Sequence, residues 1–406
     1  MIVNYEDYMT GMLLWPMHMK TANISMVVTQ IFLVLVMYRS RLFRLVYSAS
    51  STLVNIADLI LRKLQANVMG RQNLVHTEQV NMGTSCVSFC SAMWSAMKSL
   101  NKTYSVDYLM GVSGGAFFHF WNMDFGDNCD LSIIGPTIYE KTCYALGYKY
   151  IYIPLTGQED LCRQRIKESI DRGIPVLARG IIGPITEYCV ITGYADDGLT
   201  VSGTGNYAAD GFFTSSDWAD SSKTMGILLL DEKRHFPDKF DLLKSVLDWI
   251  LELAYRPMFR ADDGQKDYFT NGLVGLEAYI ADFLFDKNFP ADEPERLNHL
   301  CMVFGNDTSH CMETKRRAGA AFFREISQNY AEHQEELLNL AETYDTIGKF
   351  WGGIKDHIPM SFYSDDMKEQ LLDREHRIKV AKSIREACDL EKVAIEKVHV
   401  LRELLK

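Results

Sequence analysis

The sequence predicts an α+β fold, in which a mostly antiparallel sheet with helices before most of its strands is followed by an all-helical domain. Three observations carry this. Between about residues 76 and 235, short apolar and β-branched runs alternate with Gly-rich turns. After Pro237, apolar residues recur every three or four positions. The 406 residues, 47% of them hydrophobic, are enough for two domains with separate cores.

Residues 1–75 read as an extension with helical character. Thr21 to Tyr38 carries no charge, contains the apolar run Ile31 to Met37, and precedes Arg39, Arg41 and Arg44. Thr21, Asn23, Ser25, Thr29 and Gln30 dilute its first half, whereas crossing a bilayer takes roughly 20 mostly apolar residues. Residues 21–44 are therefore a candidate membrane contact, with a core or dimer-forming helix as the other reading and a homo-oligomer as its consequence. Basic residues on the C-terminal side of an inserted segment would leave the rest of the chain in the cytoplasm. A cleaved signal peptide is not expected, because no basic region precedes the apolar run and no small-residue cleavage site follows it directly. Leu53, Val54, Ile56, Ala57, Ile60, Leu61 and Leu64 form a second, amphipathic stretch.

The region 76–236 holds the strands. Helices are expected at 87–100, 137–146 and 159–172. Strands are expected at 151–153, 175–178, 188–192, 199–201 and 227–230, with Ala195-Asp196-Asp197-Gly198 as a hairpin turn. From 237 to 406 the pattern is helical, beginning with Leu242, Leu243, Val246, Leu247, Ile250, Leu251 and Ala254. Further helices are expected at about 271–286, 293–304, 313–330, 332–355 and 365–405.

Composition excludes several functions. The net charge is −11 and no basic block offsets it, so no nucleic-acid partner is expected. Nine cysteines without a CxxC pair suit a reducing, cytoplasmic setting and argue against structural zinc, so no metal site is expected. The loop Ser202 to Gly211 lacks the helix and GKS/T ending of a phosphate-binding loop, and no cofactor is expected. It reads as the rim of a cleft, with Asn206 and Asp210 as candidate ligand contacts.

Cys86 is the candidate nucleophile. Gly83-Thr84-Ser85 supplies a polar helix entry, and a cysteine in the first turn lies where unpaired N–H groups and the helix dipole favour thiolate. Cys90, four residues on with Met93 and Met97, reads as core. Gly111-Val112-Ser113-Gly114-Gly115 matches GxSxG, but a nucleophile elbow needs an apolar strand before it and a long helix after it. It reads better as a loop whose glycines admit a ligand to the backbone.

Taken in order, Cys86 at a helix start, Gly111 to Phe117, Ile134-Gly135-Pro136-Thr137, and Glu187-Tyr188-Cys189-Val190-Ile191-Thr192-Gly193-Tyr194 resemble the N-terminal domain of the butirosin-biosynthesis acyltransferase family. That domain is itself similar to the C39 and papain-like peptidases, and the helices after 237 resemble the C-terminal half of the same family. The resemblance covers roughly residues 76–400. It implies a papain-like domain at 76–236, an acyl group carried on Cys86 as a thioester, an acyl-carrier-protein donor and a small-molecule amine acceptor. The chain departs from it at the base: the strand should begin with His, and counting back six from Gly193 gives Glu187. No acid stands near Gly203, where a group orienting the His would fall.

A carboxylate beside a thiolate repels it and raises the thiol pKa. Glu187 is therefore expected to bind the amine or to act as its general base, facing Cys86 across one cleft with the 111–117 loop nearby. His119 is the candidate for an imidazole supplied from another loop. Ser113, Gly114, Gly115, Tyr188 and Asn206 are the candidate substrate-binding residues. Two rival readings stand beside the acyltransferase-like or hydrolase-like cysteine enzyme: a papain-like binding protein that has lost its triad, and a serine hydrolase using Ser113.

Overall fold

The protein, seen here as a computed structural model, is described for residues 85–124, 135–184, 186–208, 210–233, 235–260, 268–360 and 362–405. All of these belong to one compact unit. The expected extension at 1–75, with its membrane contact at 21–44, lies outside the described residues. Among the described residues, no helix is long and apolar enough to cross a membrane.

The described residues begin with α1 (Ser88–Ser99) and α2 (Val106–Ser113), reach the short strand β1 (Phe120–Trp121), and continue through α3 (Pro136–Leu146), β2 (Tyr148–Pro154) and α4 (Glu159–Asp171). Then come β3 (Val176–Arg179), β4 (Tyr188–Ala195), β5 (Thr200–Thr204), β6 (Phe212–Ser215) and β7 (Gly226–Lys233). The main sheet has the order β2-β7-β3-β4-β5-β6, with every neighbouring pair antiparallel. The α+β class expected from the sequence is therefore present.

Interior strands buried on both faces read as continuous apolar runs, and here each alternate residue goes to a different core. Leu177, Tyr188, Val190, Leu228 and Leu230 join one buried cluster with Phe89, Ala92 and Met93 of α1. Val176, Ala178, Cys189, Ile191, Ile227 and Leu229 join the other with Cys162, Ile166 and Ile170 of α4. The β4–β5 hairpin turns through Asp196–Gly198, where Asp197 adopts φ +56° and Gly198 φ +86°. Aspartate and glycine are residues that tolerate the left-handed region such a turn needs.

Beyond Pro237 the structure corrects the expectation of an all-helical domain. After α5 (Lys239–Tyr255), the strands β8 (Met258–Arg260) and β9 (Tyr268–Asn271) pair with each other, and β9 also pairs with β1 to form a second, three-stranded sheet. Their runs of three and four residues are too short for periodicity to register. What fixes them is tertiary: Asn271 Nδ2 donates to the carbonyls of Leu253 and Arg256 at 2.6 and 2.8 Å, tying the strand to the end of α5.

The chain then runs through α6 (Gly272–Leu284), α7 (Pro294–Leu300), a π-helical segment Cys301–His310, α8 (Cys311–Ser327), α9 (Gln334–Lys355) and α10 (Arg374–Leu404). Nor does the change of texture near 237 separate two cores. Phe117 packs against Phe322, Phe323 and Tyr344, and Trp249 Nε1 donates to the Ser113 carbonyl at 2.8 Å. The cluster beneath one face of the main sheet continues into the helices.

Candidate functional site

Ser85 does not cap α1 as its sequence suggested; its hydroxyl accepts the Val87 N–H at 3.0 Å ahead of the helix. The helix begins at Ser88 with Val87 as its cap residue, so Cys86 lies two residues before the first helical position rather than in the first turn. Ser88 Oγ accepts the Tyr188 N–H at 3.1 Å, which sews the start of α1 to the start of β4. Glu187 immediately precedes that strand and is half-buried. Its carbonyl accepts the Gly180 N–H at 2.8 Å. Cys86 thus lies two residues, and Glu187 one residue, along the chain from the Ser88–Tyr188 hydrogen bond that joins the two elements.

The groups that act on the Cys86 thiol come from α8, which the sequence reading did not single out. Cys86 is half-buried, and its Sγ lies 3.8 Å from the carbonyl oxygen of Cys311. The Cys311 side chain hydrogen-bonds the thiol, and this is the largest influence lowering its pKa. Burial opposes it; Lys315, the residue's own backbone and Arg316 reinforce it, and the thiol settles at about 7. The expectation of a thiol held protonated by a carboxylate is therefore corrected. The Cys311 side chain and the two cations together outweigh desolvation, so the thiol titrates near neutral pH.

Cys311 and Lys315 are four apart and share a face of α8. Lys315 is buried, with its ammonium 3.6 Å from the centre of the Phe118 ring. Among the described residues no carboxylate lies within ion-pair distance of it. Arg316 is equally buried but fully engaged: Nε pairs with Glu391 Oε1 of α10 at 2.5 Å, and Nη1 donates to the Ala116 carbonyl at 2.7 Å. Cys311 itself follows the π-helical segment, where Thr308 Oγ1, Ser309 Oγ and Cys311 Sγ each donate to the carbonyl five residues back. Such wide turns occur often at functional sites.

His119 lies in the same neighbourhood but is not an exposed base. It is buried edge-on to Tyr279 with ring centroids 6.0 Å apart. Burial first, then the charges of Lys315 and Arg316, push its pKa well below the usual imidazole value, against a backbone hydrogen bond with Gly275. It is neutral at physiological pH, and Nε2 makes no hydrogen bond. Lys315 and Arg316 thus act on Cys86 and His119 alike.

The glycine-bearing motif has a different role from the one expected. Residues 106–113 form a helix, capped by the Ser105 hydroxyl, which accepts the Tyr108 N–H at 2.8 Å. Ser113 ends that helix and is fully buried, its hydroxyl 3.3 Å from Cys90 Sγ. A serine at a helix C-terminus is not on a strand-to-helix elbow, which removes the structural basis of the serine-hydrolase reading. Gly114 is the left-handed cap at φ +87°, and a Cβ there would lie 2.3 Å from Trp249 Nε1. Gly114→Ala should accordingly destabilise the protein by about 1–3 kcal/mol, from left-handed strain and overpacking. Denaturant unfolding checks this.

Gly115, whose added Cβ would meet Met110 Sδ at 3.1 Å, serves the same packing. The sequence could not show the part played by Gly114 because Trp249 becomes its neighbour only on folding. Tyr188 is likewise buried, its hydroxyl sharing a short hydrogen bond with Tyr139, and it is not placed to touch a substrate. Asn206 lies in the turn after β5, half-buried, with Nδ2 making no hydrogen bond. Of the expected substrate-binding residues it alone keeps an unsatisfied polar group, but the structure does not bring it into contact with Cys86.

Among the described residues no cluster of three or more His, Cys, Asp or Glu side chains is arranged to hold a metal ion. The chain matches no protein-family model and no curated protein.

Proposed function

We propose that the protein is a thiol-dependent acyl-transfer enzyme, acyltransferase-like or hydrolase-like, in which Cys86 is the nucleophile and an amine-bearing small molecule the acceptor. The observation that carries this reading is the half-buried Cys86 beside Cys311 and a buried Lys315 ammonium that no described carboxylate neutralises. In papain-like enzymes an imidazole activates the thiol; in this reading Cys311 first, then Lys315 and Arg316, take that part without one.

The Cys86 thiolate attacks the carbonyl carbon of an acyl thioester, such as one borne by an acyl carrier protein, and the donor thiolate leaves. The acceptor amine then attacks the Cys86 thioester, an amide bond forms, the Cys86 thiolate leaves, and the amine proton balances the released donor thiolate. Glu187, one residue before β4 and beside the start of α1, is the group assigned to hold or deprotonate the amine.

Incubation of the full chain with a simple acyl thioester tests this by intact-protein and peptide mass spectrometry. The expected result is a single acyl adduct on Cys86 that an added amine discharges, and no adduct in Cys86→Ala. A chain that stays unacylated while binding the small molecule would instead establish the papain-like binding module.

A further inference from the structure

We propose that Cys86 and Cys311 also form a working dithiol, which reduces small disulfides by thiol–disulfide exchange and closes into a Cys86–Cys311 disulfide. This activity goes beyond acyl transfer: it uses Cys311 as a second nucleophile and not only as a neighbour of the Cys86 thiol.

The two residues are 225 positions apart in sequence, yet Cys86 Sγ lies 3.8 Å from the Cys311 carbonyl oxygen, and the Cys311 side chain is the neighbour that acts most strongly on the thiol. Both are present as thiols, and both are half-buried, whereas Cys90, Cys143, Cys162, Cys189, Cys301 and Cys388 are buried. A second, independent observation points to an anionic state here. Lys315, one turn beyond Cys311, keeps its ammonium buried against Phe118 without a carboxylate among the described residues. A buried cation is costly unless it is paired, and Cys86 is an acidic group on which its charge acts. Cys86 and Cys311 are both half-buried, so small, unhindered disulfides are the substrate class.

The exchange balances without any other reagent. The Cys86 thiolate attacks one sulfur of R–S–S–R; the S–S bond breaks, RS⁻ leaves, and a Cys86–S–S–R mixed disulfide remains. Cys311 gives up its proton to the departing thiolate and attacks Cys86 Sγ, expelling the second RS⁻. The substrate is reduced by two electrons and the protein dithiol is oxidised by two. Attack by the thiolate whose pKa lies near ambient pH is the favourable arrangement for such exchange.

The experiment treats the reduced full chain with oxidised glutathione, blocks remaining thiols with iodoacetamide, and maps disulfides by peptide mass spectrometry. The expected result is one cross-linked peptide joining Cys86 to Cys311 and two equivalents of glutathione released. Cys311→Ser, which keeps a hydroxyl donor beside Cys86, should stop halfway, with glutathione retained on Cys86 and one equivalent released; Cys311→Ala should behave the same way. Acylation of Cys86 in the wild-type chain by a simple acyl thioester, read without any disulfide present, separates the two activities: an acyl adduct with no Cys86–Cys311 cross-link overturns this proposal alone. A wild-type chain in which both cysteines remain alkylated, or in which the cross-link joins another pair, overturns the proposal. Full two-equivalent release by both Cys311 variants does so as well.

Discussion

Arg316→Met should lower the stability of the protein by about 3–5 kcal/mol, the usual consequence of removing one partner of a buried ion pair and leaving the other charge unpaired. The pair is Arg316–Glu391, with both side chains at most 5% exposed and Nε to Oε1 at 2.5 Å. The loss is larger than that of a surface ion pair because the Glu391 carboxylate would then have neither water nor a counter-ion. Two carbonyls, those of Ala116 and Phe118, would also lose the guanidinium that donates to them.

The deficit should depend on pH in a defined direction. Burial already raises the Glu391 pKa above 4.5 against the pull of Arg316, and without the arginine it rises further. The folded variant then binds more protons than the unfolded chain from pH 4.5 upward to the folded pKa, so its stability falls as pH rises through that window. Urea unfolding at pH 5 and pH 7.5 checks the sign: the gap from wild type should be smaller at pH 5. The double variant Arg316→Met with Glu391→Leu should recover part of the loss, because it removes the orphaned charge. A single variant as stable as wild type at pH 7.5 would remove the buried pair from the account.

Lys315→Met should slow alkylation of Cys86 at pH 6.5 by on the order of tenfold, which corresponds to a rise of about one unit in the thiol pKa. In the wild type the thiol sits at about 7, with Cys311 the first cause, burial opposing, and Lys315 the larger of the two cationic contributions. Methionine fills the space over Phe118 without the charge, so the change is electrostatic and not a cavity. Because only the thiolate reacts, the two proteins should converge near pH 10, where both are ionised. An unchanged pH profile for iodoacetamide labelling would mean that Lys315 has no part in activating Cys86. A drop that persists at pH 10 would mean that access, not ionisation, was altered.

Much of this molecule is written locally. The continuous apolar runs of β3, β4 and β7, the turn at Asp196–Gly198 and the three-to-four-residue spacing after Lys239 identify elements whose ends agree with the sequence reading to within a few residues. Pattern suffices there because each such element buries its own apolar face whatever it packs against. Residues 111–115 misled for the converse reason. Their glycines resemble a ligand loop, but Trp249 and Phe322, brought close by the fold, convert Gly114 and Gly111 into packing sites.

The chemistry followed the same division. A cysteine just before α1 was legible, since the polar Ser85 and the helix after it are neighbours in sequence. Lys315 and Arg316 could have been noticed as two basic residues among Met312, Gly319, Ala320 and Phe323 on the buried side of α8. What no local pattern contains is their company: Cys311 meets Cys86 across 225 positions and Glu391 meets Arg316 across 75. Secondary structure follows from neighbours along the chain, and so the sequence determined it. The charge state of Cys86 follows from neighbours in space, through burial and Coulomb terms that act over a few ångströms, and so only the tertiary structure decided it.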